Sequence, residues 1–336
     1  MAKSKKIFLF IGSIDCGSIL LHYFSRNGML KEEMKCRSIS VIDTFKSVLN
    51  EIIKREIKFS CGRNIFDFEL SEEVFSNEVL IEYGNDLVKQ IDGCNCLTQI
   101  IIQENLSLLA FLNPNFMVRF IDLALKQLPT KFTVDIILFV HPQSQLIESL
   151  YTQRVRFGYM KSIDQYFSEL NLDRFSWLKH CDLFSQSTSS GKVTVIPFLP
   201  NTIKQKFDKN FVEYFFELCG LSFLTESDFV SDYYNHIMKF EPAFVLPFKN
   251  YYHTSCIPEL IDLMAYANKT LPNELAREVN FSMSNNFPRS YEKGVNLLRQ
   301  KDLQKIFDCF EVENKLLIKN NVDWCSENAL SVLNSL

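Results

Sequence analysis

Glycine and proline are scarce, with ten of each in 336 residues. That scarcity excludes collagen-like, linker-like and low-complexity architectures, which need one or the other in quantity. Long apolar runs are missing too. No stretch reaches the roughly 20 residues of a bilayer-spanning helix, so no membrane span is expected. The basic start, Met1 to Lys6, followed by an apolar run has the outline of a signal peptide. Asp15 interrupts that run early and no small-x-small cleavage site follows it, so the reading is set aside. Basic charge is not in excess either. A formal net charge of −4 and a pI near 5.8 give no positive field, which argues against nucleic acid as a partner. Cysteine is plentiful, at ten residues, but its pairing motifs are absent: there is no CxxC, and the closest pair is Cys94-Asn95-Cys96. No histidines stand nearby to complete a zinc set. The expectation is a cytoplasmic chain with reduced thiols used as small apolar residues, and no metal.

What is present is apolar and aromatic. Hydrophobic residues make up 47% of the chain and phenylalanine alone counts 31, enough for a bulky core in one large domain or two smaller ones. Four short runs are mainly apolar: residues 7–12, 97–102, 134–140 and 193–197. Between them lie segments of helical spacing. These are 18–27, ending at Asn27-Gly28; 40–58, carried by Val41, Ile42, Phe45, Val48, Leu49, Ile52 and Ile53; 79–91; 116–128; 144–157; 162–170; and 175–185. Apolar strands alternating with helices predict an α/β fold with a mostly parallel sheet covered on both faces. Such sheets bind ligands at the carboxyl ends of their strands. That rule puts Gly12–Ser18, Gln103–Asn105, His141–Gln143 and Pro197–Pro200 on one rim. After about residue 222 the pattern changes. Tyr233, Tyr234, Phe240, Phe244, Phe248, Tyr251 and Tyr252 fall in a proline-punctuated stretch, readable as a lid or subdomain, or as a carbohydrate-stacking platform or partner surface. A last helix is clear at 301–320. The expected organisation is an α/β domain over 5–222 and an aromatic-rich, mostly helical extension over 223–336 packing on it.

The most informative segment is Ile7-Phe8-Leu9-Phe10-Ile11-Gly12-Ser13-Ile14-Asp15-Cys16-Gly17-Ser18. A buried strand stops at a glycine, and a second glycine and a hydroxyl residue precede an apolar stretch fit for a helix. This is the layout of a phosphate-binding loop at a helix N-terminus, where backbone N–H groups cradle an anion. An ordinary strand-to-helix turn has the same outline.

With two further segments the chain resembles the bacterial sulfotransferase-like family, which has a P-loop fold. One is Ile100-Ile101-Ile102-Gln103-Glu104-Asn105-Leu106-Ser107; the other runs from Val134 to Gly158 and includes Glu148-Ser149-Leu150-Tyr151-Thr152-Gln153-Arg154-Val155-Arg156. The resemblance implies a three-layer P-loop-like fold with a helical C-terminal extension. It also implies sulfuryl transfer from 3′-phosphoadenosine 5′-phosphosulfate (PAPS) to a hydroxyl of a glycan or similar small-molecule acceptor. In the family an arginine ends the third strand and a serine follows eight residues later, both holding the donor's 3′-phosphate; Ser149 matches that serine and His141 stands at the arginine. The donor-binding set implied here is Gly12, Ser13, Gly17, Ser18 and Ser149, with Arg154 or Arg156 as a recruited cation; two residues apart, these arginines cannot share one helical face.

The departures fall on the chemistry. Asp15 occupies the position of the family's lysine and Ile19 replaces a second hydroxyl residue. A carboxylate there repels a phosphosulfate, by about 1 kcal/mol at 4 Å in water and several-fold more in a cleft. The candidate catalytic groups are Glu104 as the acceptor-side base, His141 at the rim, and Asp15 in a reassigned role. Each also has a plain reading, as a solvated loop residue, a satisfied rim residue or a helix cap. Three readings stay open: a divergent sulfotransferase-like enzyme, a non-catalytic binding protein on the same fold, and a transferase using another nucleotide-linked donor.

Overall fold

The structure is a computed structural model. It describes residues 5–12, 34, 39–42, 77–93, 96–102, 119, 122–123, 126–128, 132–140, 142–156, 159–187, 191–197, 211–221, 258–286 and 297–321. Five strands form one sheet: β1 (Lys5–Gly12), β2 (Ile39–Ile42), β3 (Thr98–Ile102), β4 (Phe132–Val140) and β5 (Val193–Pro197). Their order is β2-β3-β1-β4-β5, and every pairing is parallel. The four apolar runs are thus all parallel strands of one sheet, as their sequence predicts. Their burial explains the composition. Ile7 to Ile11 and Ile136 to Val140 are fully enclosed, because a parallel strand with both faces covered has no wet side for a polar residue.

The described helices are α1 (Asn77–Gly93), α2 (Gln143–Arg156), α3 (Ile163–Glu169), α4 (Trp177–Ser187), α5 (Phe211–Leu218), α6 (Pro258–Thr270), α7 (Asn273–Asn286) and α8 (Gln300–Asn321). α4 packs on β4 and β5, and α8 packs on α4, β5 and α2. α6 and α7 pair with each other and both pack on α2. The fold class is therefore α/β, with helices of the C-terminal third seated on the helix that follows β4. Aromatic contacts join the layers: the Phe10 ring lies 5.2 Å from Phe139 and 5.4 Å, edge-on, from Phe215 of α5. Each such buried ring contributes about 1.5–3 kcal/mol of transfer free energy.

Local chemistry sets several boundaries. Ser162 and Gln165 form a reciprocal capping box at the start of α3. The turn that closes α5 passes through Gly220, whose φ of 71° is the left-handed region that a side chain resists. There the Leu221 N–H reaches the Phe216 carbonyl and the Gly220 N–H the Glu217 carbonyl, both at 2.8 Å, which closes the helix. Gly191, before β5, lies against β4 so closely that a Cβ would stand 1.4 Å from the Val134 carbonyl oxygen. Nearby, Lys6 of β1 pairs with Asp135 of β4 at 2.8 Å, and Asp135 also accepts the Lys192 N–H at 3.2 Å.

One expectation fails. The periodicity over 40–58 predicts a helix, yet Ile39–Ile42 is a strand on the outer edge of β3, in register from Ile39↔Thr98 to Ile42↔Ile101. Ile-Ser-Val-Ile is rich in β-branched residues, and the exposed edge of β3 supplies hydrogen-bond partners that a local pattern does not count. Residues 43–58, the predicted helix at 18–27 and the aromatic stretch 233–252 lie outside the described residues.

Candidate functional site

All five strands point the same way, so Gly12, Ile42, Ile102, Val140 and Pro197 end on one edge of the sheet. The strand that follows β1 in the chain, β2, lies beyond β3, while the strand that follows β4, β5, lies on the other side of the sheet. Adjacent strands whose exits diverge leave a crevice between their carboxyl ends, the usual ligand position in open parallel sheets. Register sharpens the location: Gly12 stands opposite Phe139, and Phe10 opposite Ile102. Gly12 therefore stands level with the end of β4, one strand spacing away, which is about 4.8 Å.

α2 begins at Gln143, three positions past Val140, the last residue of β4. Its turn closes through the Leu146 N–H to the Pro142 carbonyl at 3.1 Å. Earlier N–H groups of a helix have no partner within it and give its N-terminus partial positive charge. Beside this turn the polar side chains are buried. The Gln143 amide exchanges two hydrogen bonds with Asn314 of α8: Gln143 Nε2 donates to Asn314 Oδ1 at 2.9 Å, and Asn314 Nδ2 donates to Gln143 Oε1 at 3.2 Å. Both residues are 2% exposed, so α8 is joined to the start of α2 through a buried reciprocal amide pair.

Further along α2, Glu148 is also buried, and its Oε1 accepts the Leu298 N–H at 2.9 Å. Burial pushes its carboxyl up to about 7, against the pull of the Leu298 and Leu297 N–H groups toward the ionised form. At the end of α2, Asn268 of α6 donates to the carbonyls of Val155 at 2.8 Å and Tyr159 at 2.9 Å. Asn280 of α7 donates to Asn268 Oδ1 at 2.7 Å and to Val155 at 3.2 Å. These amides satisfy helix-end carbonyls that would otherwise be buried without donors.

Of the site residues predicted from sequence, Gly12 closes β1 at the crevice, and Ser149, Arg154 and Arg156 all lie on α2, the helix that leaves it. Ser13, Asp15, Gly17, Ser18, Glu104 and His141 lie outside the described residues. Gln143 falls on the rim that the strand-end rule predicts, though not as a buried amide; Glu148, Asn268, Asn280 and Asn314 were not foreseen as site residues. The sequence offers only a faint signal for them: Asn314 interrupts an apolar helical stripe between Phe310 and Leu317, whereas Glu148 follows the polar Ser144 one turn earlier and reads as a surface residue. Elsewhere, burial holds the His180 imidazole down to about 4, despite a hydrogen bond to the Arg174 backbone. It raises the Cys181 thiol to about 11 and the Cys219 thiol further above the ordinary range, which makes both poor nucleophiles. Among the described residues no group of three or more His, Cys, Asp or Glu side chains is placed to hold a metal. No described helix is long and apolar enough to cross a membrane. No protein-family model, curated protein or solved structure matches the chain.

Proposed function

We propose that the chain is a divergent sulfotransferase-like protein of P-loop-like fold, whose crevice between the ends of β1 and β4 takes a nucleotide-linked anion and whose acceptor is a hydroxyl of a glycan or similar molecule. The observation that carries this reading is the strand order β2-β3-β1-β4-β5, all parallel, with β1 central and Gly12 level with the end of β4. Supporting it, β1 and β4 are neighbours and α2 follows β4, so the reading takes the glycine-bounded segment after β1 and the start of α2 as the two parts of the donor site. In this reading the N–H groups of Gly12–Ser18 and the Ser18 hydroxyl cradle the phosphosulfate. Ser149, with Arg154 or Arg156, holds the second phosphate, and Glu104 accepts the proton of the attacking hydroxyl.

Asp15 is the weak point of that chemistry, since it supplies negative charge where the departing phosphate needs a cation. Together with the Gln143–Asn314 pair joining α8 to the start of α2, it favours a second reading: a non-catalytic binding protein on the same fold. A transferase with a different nucleotide-linked donor would share that scaffold. Calorimetry with adenosine 3′,5′-bisphosphate on wild type and Asp15→Lys separates them. The donor reading expects weak or undetectable wild-type binding and at least about a tenfold gain in the variant, as attraction replaces repulsion at the phosphate. No binding by either folded protein sinks the donor reading, and a parallel screen of nucleotide sugars then tests the other transferase. Tight wild-type binding lost in Asp15→Lys would show that Asp15 itself serves the ligand.

A further inference from the structure

The segment leading into α8 is held at its backbone and side chains by two other helices. Leu298 presents its N–H to the Glu148 carboxyl of α2 at 2.9 Å, and Leu297 presents its own N–H to the same group. Arg299 pairs with Asp164 of α3, and the Lys305 ammonium stands 5.5 Å over the Phe167 ring of α3. Of these ties only the first is buried, with Glu148 2% exposed. The exposed ones are weak and salt-screened. The buried polar tie of this segment is therefore a carboxyl sealed from water, beside the buried Leu298 side chain.

We propose that Glu148 is a proton-controlled clasp on residues 297–298, closed while its carboxyl is protonated and released as it ionises. A buried carboxylate compensated by two N–H groups alone is costly, whereas an open segment lets water solvate the charge. The charged groups of the neighbouring elements include Asp262 on α6, Glu278 on α7, Lys305 and Glu313 on α8, and the Asp164–Arg299 pair. None of them is among the causes of the raised proton affinity, which are burial and the two opposing N–H groups. With the closed form titrating at about 7 and the open form as an ordinary glutamate, ionisation favours opening. The opening equilibrium then rises roughly 30-fold between about pH 5.5 and about pH 8.5. The clasp uses none of the residues assigned to the donor, so the two readings fail independently.

Hydrogen exchange of the full chain, followed by mass spectrometry on peptides spanning 297–305 and corrected for intrinsic exchange, tests it. The expected result is a rise of that order with pH in wild type, absent in Glu148→Gln, which keeps an oxygen acceptor but cannot ionise. Equal pH dependence in the two proteins overturns the proposal. Independently of whether the variant folds, carbon-13 titration of the wild-type Glu148 carboxyl is expected near neutrality. A midpoint at the ordinary glutamate value overturns the clasp as well.

Discussion

Asn314→Ala removes one half of the buried amide pair beside the β4 rim and leaves Gln143 Nε2 and Oε1 without those partners. Each orphaned buried polar group costs about 1–3 kcal/mol, so a loss near 3 kcal/mol is expected, a factor of roughly 150 in the folding equilibrium. Gln143→Ala is expected to cost a similar amount for the mirror-image reason. Once one partner is gone the other has nothing left to lose at this contact. The double variant should therefore fall short of the summed single losses by about 1–2 kcal/mol. Urea unfolding of the four proteins, read by tryptophan fluorescence and by circular dichroism, closes the cycle; Trp177 is fully buried and reports on the core beneath α8. Additivity within about 0.5 kcal/mol would refute the claim that α8 is fastened to the start of α2 through this pair.

Gly191→Ala should destabilise by roughly 3 kcal/mol or more, because its Cβ would stand 1.4 Å from the Val134 carbonyl oxygen and backbone must move. Gly220→Ala should cost only about 1 kcal/mol, since a Cβ there meets nothing and only the positive φ resists it; comparing their thermal midpoints tests the ranking. The depressed His180 gives stability that is present above its unfolded value of about 6.5 and lost as pH falls toward about 4. The raised Glu148 acts oppositely, giving stability present below about 4.5 and lost as pH rises through about 7. The two slopes therefore offset each other in wild type, and Glu148→Gln should unmask an acid loss of about 3 kcal/mol, visible as a falling urea midpoint between pH 6.5 and 4. A flat midpoint in that variant would contradict the assignment to His180. Asn268→Leu strips donors from the Val155 and Tyr159 carbonyls and should lower stability by about 2–4 kcal/mol, with Asn280→Leu coupled to it in a double-variant cycle.

Four strands were legible in the amino-acid sequence because parallel strands buried on both faces leave little room for polar residues: Ile7–Ile11 and Ile136–Val140 could hardly be anything else. Helices such as Gln143–Arg156 and Gln300–Asn321 were legible from the 3.6-residue period of their apolar faces. Two kinds of feature were not. Ile39–Ile42 is a strand only because β3 offers it an edge, a non-local gain that outweighed the local period. The buried polar set was hidden for the same reason. Gln143 and Asn314 are 171 residues apart, and Glu148 and Leu298 are 150 apart. Taken singly, an amide or a carboxylate reads as a surface residue; only the tertiary structure supplies the partner that makes its burial affordable. Strand order belongs to that second class. The sequence determined that four apolar strands would lie parallel, but which of them became neighbours, and so which strand end flanks Gly12, was decided by the tertiary pairing of β1 with β3 and β4.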